Sequence, residues 1–396
     1  LAALGASPSG GCLAAAVATA AALSVDSPFL RSDAKQSDAT DGDAPADDEE
    51  RKRRRKLAHK FHHPNSDALS AARALVAFDA AGGVDDPRAA EKFCVEHRLH
   101  GKTMREMSDL RRQLLRILSK PPPSVAMHAT AGIESLLTPG AKRAIAEASA
   151  AVNKPPRGEK RRKDPAASSL EIGAPGETSL RRALLIGWAD RVARRSKPSD
   201  VREKYDENDN TKATRYKPAM LDQNVFLHPS STLHRSAPDY VVYVDLMQTA
   251  KRPYVIGATV VDAAWLVDDA AALTSLSSPL EEPAPRYVRA RDAVVAFAQP
   301  SHGRHRWELP LHAVPLTAER GGCGAFAAAL LSGAVSAPMA EFRDKLAAKP
   351  SLCARPEGKS QRRVIELIHA LRRRNVASRA ALIEVWRREP RYLMPE

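Results

Sequence analysis

The sequence predicts a mixed α plus β protein, with helices first, strands in the middle and further strands and helices at the end. Apolar residues recur at helical spacing over residues 65–118, and the period changes to two over residues 216–267. The chain has 396 residues, of which 43% are apolar. That length is enough for two or three domains with cores of their own.

The first part is predicted to be helical. Residues 12–25 are apolar and alanine-rich but too short to span a bilayer, so we predict a buried helix there. Asn65 or Ser66 can cap a helix that buries Leu69 and Phe78. Pro87 suits the first turn of the next helix, which carries Phe93 and Cys94. Because the chain starts without Met inside apparent core sequence, we expect it to be a fragment.

A third helix is predicted from a capping box at residues 103–106. It places Met107, Leu110, Leu114, Ile117 and Leu118 on one face, with Arg105, Arg111, Arg112 and Arg116 around the rest. Residues 119–177 contain several prolines and glycines and are predicted to be a linker or insertion, with a short helix near residues 141–151. Another amphipathic helix is predicted over residues 179–195, with Leu180, Leu184, Trp188 and Val192 inward.

The middle of the chain is predicted to be a small β-barrel or sheet. Strands are expected at residues 225–227, 240–247 and 254–261, closed by a short helix around residues 263–267. Further strands are expected at residues 293–298 and 308–316. The end is predicted to be helical, over residues 326–331, 339–346, 362–374 and 380–388.

The charge of the chain favours a polyanionic partner. Lysine and arginine number 61 against 47 aspartates and glutamates, a formal charge of +14. Phosphates that such cations neutralise release counterions, so nucleic acid is the predicted partner. A membrane surface is not expected, because no basic amphipathic helix has a clean aromatic face. Residues 31–60 combine an acidic stretch with the run RKRRRK, which is typical of a solvated, mobile loop, a nuclear localisation signal or an RNA-touching patch.

Several kinds of chemistry are not expected in this chain. The sequence contains no GxxxxGK[ST] phosphate loop, no Asp-Glu-Ala-His, no GxSxG and no HExxH. The four cysteines form no CxxC pair, so buried thiols in a reducing compartment are expected rather than zinc or disulfides. Histidines cluster at residues 59–63 and 302–305 without cysteine or carboxylate at ligand spacing, so no metal site is predicted. We therefore expect no catalytic residue and no cofactor bound by this chain.

Ordered motifs in the chain resemble the C-terminal part of DEAH-box RNA helicases. The matching segments are residues 63–69, 93–97, 104–114, 225–231, 240–243, 249–251 and 265–266. The first three are similar to the helicase-associated region of that family, and the others to its OB-fold. Residues 179–195, 279–287 and 386–393 resemble the subgroup that acts in the small-subunit processome, which has an extension after the OB-fold.

The resemblance implies an α+β fold in four parts. Residues 1–118 form a helicase-associated, ratchet-like helical bundle with a charged insert at 31–60, followed by a linker or insertion at 119–177. Residues 178–278 form an OB-fold β-barrel with a preceding helix, and residues 279–396 form an α/β extension. The two RecA-like motor domains, which would bind ATP and Mg²⁺, are absent from this chain.

The resemblance also implies a function. A helicase of this subgroup releases the U-three small nucleolar RNA from pre-18S ribosomal RNA, with ribosome-assembly proteins as partners, in the nucleus and nucleolus. The implied role of this chain is to grip RNA and to dock partners. Two alternatives stay open: the C-terminal part of a pre-mRNA splicing DEAH helicase, and a motor-less RNA-binding scaffold.

Seven residues are predicted to contact RNA, because OB-fold strands offer a groove where cations meet phosphates. They are His228, Ser230, Ser231 and Lys251 on the OB-fold, and Arg105, Arg111 and Arg112 on the helix. The alternative for the His-Pro-Ser-Ser motif is a purely structural turn. Trp265, Tyr240 and Phe226 are expected to be core residues rather than a stacking platform.

Overall fold

A computed structural model describes residues 12–30, 60–119, 139–153, 173–196, 214–250 and 252–393. The chain divides into two compact units, Leu1–Ala270 and Ala271–Glu396. Each unit has its own buried core, so each is described by itself. Most of the predicted charged insert and of the predicted linker lies outside the described residues, and so does Lys251.

The described part of the first unit begins with five helices. They are α1 (Leu13–Leu23), α2 (Asp67–Ala80), α3 (Pro87–His97), α4 (Gly101–Ser119) and α5 (Pro139–Asn153). Alanines and larger apolar side chains of α1 to α4 share one core, in which Phe61, Phe78 and Phe93 lie together. Leu115 of α4 and Ile145 of α5 join α1 in a second cluster. The predicted buried helix at the start of the chain is thus confirmed as α1.

Two helix starts agree with the sequence prediction. The Ser66 hydroxyl accepts the Leu69 amide at 3.1 Å and caps α2. Pro87 is the first residue of α3, and an Asp86 carboxylate oxygen accepts the amide of Ala89 at 3.1 Å. Both caps satisfy amides that the helix itself leaves without an acceptor.

The predicted capping box of the next helix is wrong. The helix α4 begins at Gly101, so Thr103 already lies inside it and is buried. The Thr103 hydroxyl instead pairs with Nδ1 of His100 at 2.7 Å. His100 therefore meets the start of α4 in place of the predicted cap.

The predicted apolar face of α4 is confirmed except at Ile117, since Met107 is buried and Leu110, Leu114 and Leu118 pack against the cores. Met104, Met107, Arg111 and Leu115 are buried, whereas Ile117 is 46% exposed. The prediction missed Met104 and Leu115, and it missed Arg111, which is buried because Asp79 pairs with it.

The helix predicted over residues 179–195 ends early. The helix α6 spans Ala174–Gly187, and residues Val192–Arg195 form the strand β1. Ala193 pairs with Pro218 on one side and with Val241 on the other. Pairing with two neighbouring strands outweighs the helical spacing of the apolar residues in this segment.

Seven strands of the first unit form one sheet in the order β5-β6-β3-β2-β1-β4-β7. Besides β1, they are β2 (Arg215–Pro218), β3 (Val225–Leu227), β4 (Tyr240–Val242), β5 (Asp245–Gln248), β6 (Pro253–Ile256) and β7 (Thr259–Val260). The pair β3–β6 is parallel, and the other pairs are antiparallel. The short helix α7 (Ala263–Asp269) follows the sheet, as predicted.

The sheet has one face in a core. Tyr216, Val225, Leu227 and Val255 are buried together on that face. Residues that alternate with them along β2, β3 and β6 are only partly buried. The turn between β6 and β7 requires a glycine at Gly257, where φ is +65° and an added Cβ would lie 2.9 Å from a Val244 methyl.

The second unit combines two small sheets with helices. Its strands are β8 (Thr274–Leu276), β9 (Arg286–Val288), β10 (Ala293–Ala298), β11 (Pro300–His302), β12 (Trp307–Glu308) and β13 (His312–Pro315). They form sheets in the orders β13-β10-β9 and β12-β11-β8. The helices are α8 (Cys323–Leu331), α9 (Arg362–Arg373) and α10 (Arg379–Arg388).

The core of the second unit joins β10 to the three helices through Val294, Phe326, Leu371 and Leu382. The helix predicted over residues 339–346 is instead a 3-10 segment, Ala337–Lys345, that buries none of its side chains. Within the part of the chain that the structure describes, no helix combines the length and the apolar character needed to cross a membrane.

Candidate nucleic-acid interface

A buried aspartate at the start of α2 ties the helical region to the sheet. The two carboxylate oxygens of Asp67 accept the hydroxyls of Ser231 and Thr232 and the amide of Thr232, each at 2.8 Å. The amide of Ala258 adds a fourth bond at 3.2 Å. Burial raises the pKa of Asp67, and these four donors lower it in part. We call Asp67 and its donors the aspartate joint.

Backbone bonds reinforce this joint. The amide of Asp67 donates to the carbonyl of Ala258, and the amide of Val260 donates to the carbonyl of Asn65, both at 2.8 Å. Beside them the hydroxyls of Ser66 and Thr259 share a hydrogen bond of 2.7 Å and are fully buried. The chain just before α2 therefore pairs with β7 in the manner of a strand.

A second polar cluster connects the helical region to α6. A carboxylate oxygen of Glu177 accepts the side-chain amide of Asn65 at 2.8 Å, and the other lies 3.4 Å from Nε2 of the buried His63. Arg181 forms a salt bridge of 3.3 Å with the same carboxylate. Burial lowers the pKa of His63, although Glu177 opposes the shift.

The His-Pro-Ser-Ser motif forms a tight turn at the end of β3. Nδ1 of His228 lies 2.6 Å from the Ser230 hydroxyl and accepts the Ser230 amide at 3.2 Å. The amide of Ser231 donates to the His228 carbonyl at 2.8 Å. The side chain of Ser231 donates to Asp67 and so belongs to the aspartate joint, while its contact with RNA stays a prediction.

The sheet face opposite the core carries rings and cations. Register partners on four neighbouring strands place Met247, Tyr254, Phe226 and Arg215 in a row. His228 and Arg252 lie two residues from Phe226 and Tyr254, on the same face. All six side chains are partly exposed. We call these six residues the outer face.

Aromatic and cationic groups on the outer face contact one another. The guanidinium of Arg252 lies over the Phe226 ring, 4.7 Å from its centroid. The rings of Phe226 and Tyr254 are 6.5 Å apart, and that of His228 meets Tyr254 edge-on at 5.2 Å. The expectation that Phe226 is a core residue is therefore wrong, because its neighbours Val225 and Leu227 take the buried positions.

Two of the three predicted arginines on α4 are held by carboxylates. Arg111 is buried and pairs with the buried Asp79 at 2.5 Å. Arg112 makes two bonds to Asp85, at 3.1 and 2.6 Å, and donates to the carbonyl of Val152. The expectation that both arginines share an exposed polar side is wrong for Arg111. Arg105 is exposed.

The structure therefore brings only part of the predicted set together. His228 belongs to the outer face and Ser230 lies beside it, whereas the α4 arginines belong to the helical region. The sequence prediction missed Tyr254, Arg252 and Arg215 as a surface. Alternation along β3 could have indicated it, because Phe226 and His228 are two residues apart.

Two motifs typical of nucleotide-binding motor domains do not occur in the sequence. The sequence has neither the glycine-rich phosphate loop nor the Asp-Glu-Ala-His motif. Among the described residues, no three histidine, cysteine, aspartate or glutamate side chains lie close enough to hold a metal ion. What the outer face does offer is rings for stacking and guanidinium groups for anions.

Three family models match the chain in order. The helicase-associated domain (HA2), ratchet-like, matches residues 3–71, and the oligonucleotide/oligosaccharide-binding (OB)-fold matches residues 180–272. The DEAH helicase DHX37 C-terminal domain matches residues 338–396. Together with the helicase relatives, these matches show that the chain carries domains of the C-terminal part of DEAH-box RNA helicases.

Within that family, the chain lies close to the DHX37 group. It is 33% identical to the ATP-dependent RNA helicase DEAH13 of Arabidopsis thaliana over 85% of its own length and 24% of that protein. It is 30% identical to the probable helicase kurz of Drosophila melanogaster and 31% identical to the probable helicase DHX37 of Homo sapiens. Those two matches cover 55% of this chain and 18% of each relative, so the chain spans about a quarter or less of these proteins.

Proposed function

We propose that this chain is the RNA-gripping and partner-docking part of an ATP-dependent RNA helicase that acts in small ribosomal subunit biogenesis. The outer face of the OB-fold sheet is the observation that carries the RNA-binding part of the proposal. It presents Phe226, Tyr254 and His228 beside Arg215 and Arg252. Rings and cations on one exposed sheet face are what single-stranded RNA requires.

Two interactions account for the grip. Unpaired bases stack on the rings of Phe226 and Tyr254, and each base stacked in this way contributes about 1–3 kcal/mol. Guanidinium groups donate paired hydrogen bonds to the phosphates that connect those bases. The aspartate joint fixes the His228 turn next to this face, so the surface is preorganised.

The remaining parts of the proposal, the motor domains and the partners, are inferred from the family. We propose that RecA-like motor domains of the parent protein hold ATP and Mg²⁺, because neither the phosphate loop nor the Asp-Glu-Ala-His motif occurs in this sequence. The relatives' names describe ATP-dependent RNA helicases. We propose pre-18S ribosomal RNA, the U-three small nucleolar RNA and ribosome-assembly proteins as partners, in the nucleolus.

RNA binding by the outer face is tested with Phe226→Ala and Tyr254→Ala. Fluorescence anisotropy of the whole chain with a labelled single-stranded RNA measures Kd. We expect each variant to bind about tenfold more weakly, because one stacked base of about 1–3 kcal/mol is removed and about 1.4 kcal/mol is a factor of ten.

The matched control is Phe297→Ala in the second unit. Phe297 is also half-buried on a strand, with the guanidinium of Arg286 5.4 Å from its ring centroid. The control should bind RNA like the unaltered chain. If the two outer-face variants keep their circular dichroism and bind equally well, the site is wrong. If the unaltered chain fails to bind RNA at physiological salt, the RNA-gripping function is wrong.

The ribosomal role is tested in cells with the tagged parent protein. Ultraviolet crosslinking followed by sequencing of the bound RNA should recover pre-18S ribosomal RNA and the U-three RNA. Recovery of spliceosomal small nuclear RNAs instead would favour the splicing alternative. A parent gene without an upstream motor would favour the scaffold alternative.

A further inference from the structure

Exposed arginines gather at one end of the second unit. Residues 362–391 contain nine arginines and three glutamates, with no lysine or aspartate. Five of the arginines lie in or just after the last turns of α9 and α10. They are Arg372, Arg373, Arg387, Arg388 and Arg391, all exposed, and we call them the arginine corner.

Contacts between the two helix ends bring these arginines together. The Tyr392 hydroxyl donates to the carbonyl of Ala370 in α9 at 2.9 Å. Arg374, just after α9, pairs with Glu389, just after α10, at 2.6 Å. The ends of α9 and α10, which carry the five arginines, are therefore neighbours in the second unit.

The same contacts make the corner rigid. Asp292 accepts the amides of Arg379 and Ala380 at 2.6 and 2.9 Å and fixes the start of α10. At the other end, Nε1 of Trp386 donates to the carbonyl of Tyr392 at 3.1 Å. Leu371 and the rest of the apolar face of α9 pack on the core. A ligand therefore meets a surface whose backbone is already ordered, which lowers the entropic cost of binding.

Most of the corner is not neutralised by the chain itself. Arg388 forms a salt bridge with Glu384. In the ranges that the structure describes, Arg372, Arg373, Arg387 and Arg391 form no salt bridge. Four exposed guanidinium groups at two neighbouring helix ends make this part of the unit strongly positive.

We propose that the arginine corner binds the phosphate backbone of RNA, separately from the outer face of the OB-fold. The planar guanidinium donates two parallel N–H groups, which match two oxygens of one phosphate. The neighbouring rings of Trp386 and Tyr392 pack against the core and offer no stacking platform. The corner therefore recognises phosphates without reading bases, and paired RNA serves as well as single strands.

The main rival explanation is intramolecular. Cations in the last turn of a helix stabilise it by compensating the negative end of its dipole. That explanation applies to Arg372, Arg373, Arg387 and Arg388, but not to Arg391, which lies outside α10. A further rival is that the corner binds an acidic protein segment. The experiment below distinguishes RNA binding, helix stabilisation and binding of an acidic segment.

The test uses the whole chain and a labelled RNA duplex. A duplex offers no unpaired bases to the outer face, so failure of the stacking proposal does not alter this measurement. The variants are R372Q/R373Q and R387Q/R391Q. Each should bind the duplex about tenfold more weakly, and the log–log salt slope should fall by roughly 0.9 for each phosphate that the variant no longer neutralises.

The matched control is R289Q/R291Q, which removes two exposed charges at the other end of α10, next to Asp292. It should bind the duplex within twofold of the unaltered chain. Folded corner variants with unchanged affinity and salt slope would overturn the proposal. A lowered Tm with unchanged affinity would assign the arginines to the helix ends. Loss of binding to a polyglutamate peptide alone would assign the corner to an acidic protein.

Should a Gln pair fail to fold, R372K/R373K separates charge from packing. Lysine keeps the charge but lacks the planar fork. This variant should keep the salt slope while its affinity for the duplex falls. The lysine variant could instead bind the duplex as tightly as the unaltered chain, with the same salt slope as the control R289Q/R291Q. That result would mean that the duplex does not recognise the guanidinium fork, and it would contradict the proposal.

Discussion

His302 couples the stability of the second unit to pH. Its side chain is fully buried, with Nδ1 2.8 Å from the Thr274 hydroxyl, and burial lowers its pKa from 6.5 to about 4. Between these values the unfolded chain binds the proton and the folded unit does not. Stability is therefore complete above pH 6.5 and falls as the pH drops towards 4. At pH 5 the loss is on the order of 2 kcal/mol.

Thermal unfolding of the chain and of His302→Gln at pH 7 and pH 5 measures this effect. The glutamine variant is less stable at pH 7, because the contact with Thr274 changes. The difference in Tm between the two proteins should shrink at pH 5, since glutamine does not titrate. An equal difference at both pH values would show that His302 is not responsible.

Arg111 and Phe226 show that residue type alone does not predict whether a side chain is buried. An arginine on a helix indicates a solvated cation, and only the fold brings Asp79 to 2.5 Å of Arg111. A phenylalanine in a strand indicates a core position, yet Phe226 alternates with the buried Val225 and Leu227. Residue type misleads in both cases because burial depends on partners distant in the sequence.

At the scale of elements, the aspartate joint explains two sequence motifs at once. Asp67 begins α2 in the first motif, and Ser231 ends the His-Pro-Ser-Ser turn in the second. The sequence shows both segments but not the bond between them, which joins residues 164 positions apart. The joint therefore accounts for Ser231 without RNA.

Replacing Asp67 with asparagine should destabilise the first unit by about 2–4 kcal/mol. The side-chain NH₂ of asparagine cannot accept a hydrogen bond, so it faces buried donors that no longer have a partner. Chemical denaturation followed by circular dichroism measures the change.

Asp86→Asn is the control for this prediction. Asp86 caps α3 at an exposed position and accepts the amide of Ala89. Asparagine caps helices as well as aspartate does, so this change should alter stability by less than about 0.5 kcal/mol. Equal effects of the two substitutions would contradict a structural role for the Asp67 carboxylate.

The segment after α6 shows that the spacing of apolar residues does not always predict the type of secondary structure. Helical spacing predicted one helix to residue 195, but the helix ends at Gly187 and β1 begins at Val192. The strand β1 pairs with β2 and β4, which both lie further along the chain. Local spacing contains no information on such partners. Longer and more regular segments, such as α2 and α4, were predictable within a few residues.

At the scale of the whole molecule, the order of the parts was predictable because each part has its own periodicity. The helical, β-rich and mixed regions follow one another as expected. The candidate surfaces were less predictable. The outer face depends on the register between strands. The arginine corner depends on contacts between the ends of α9 and α10, which the sequence of either helix alone does not reveal. The two proposed RNA sites belong to different compact units.

The buried pair of Asp79 and Arg111 restricts how this chain can diverge. Removing either partner alone leaves a charge inside the core, at a cost of about 3–5 kcal/mol, whereas apolar residues at both positions can be neutral. Ser108, which donates to the same carboxylate at 2.5 Å, tightens the restriction. Among descendants of this gene, we therefore expect the two positions to change together or not at all.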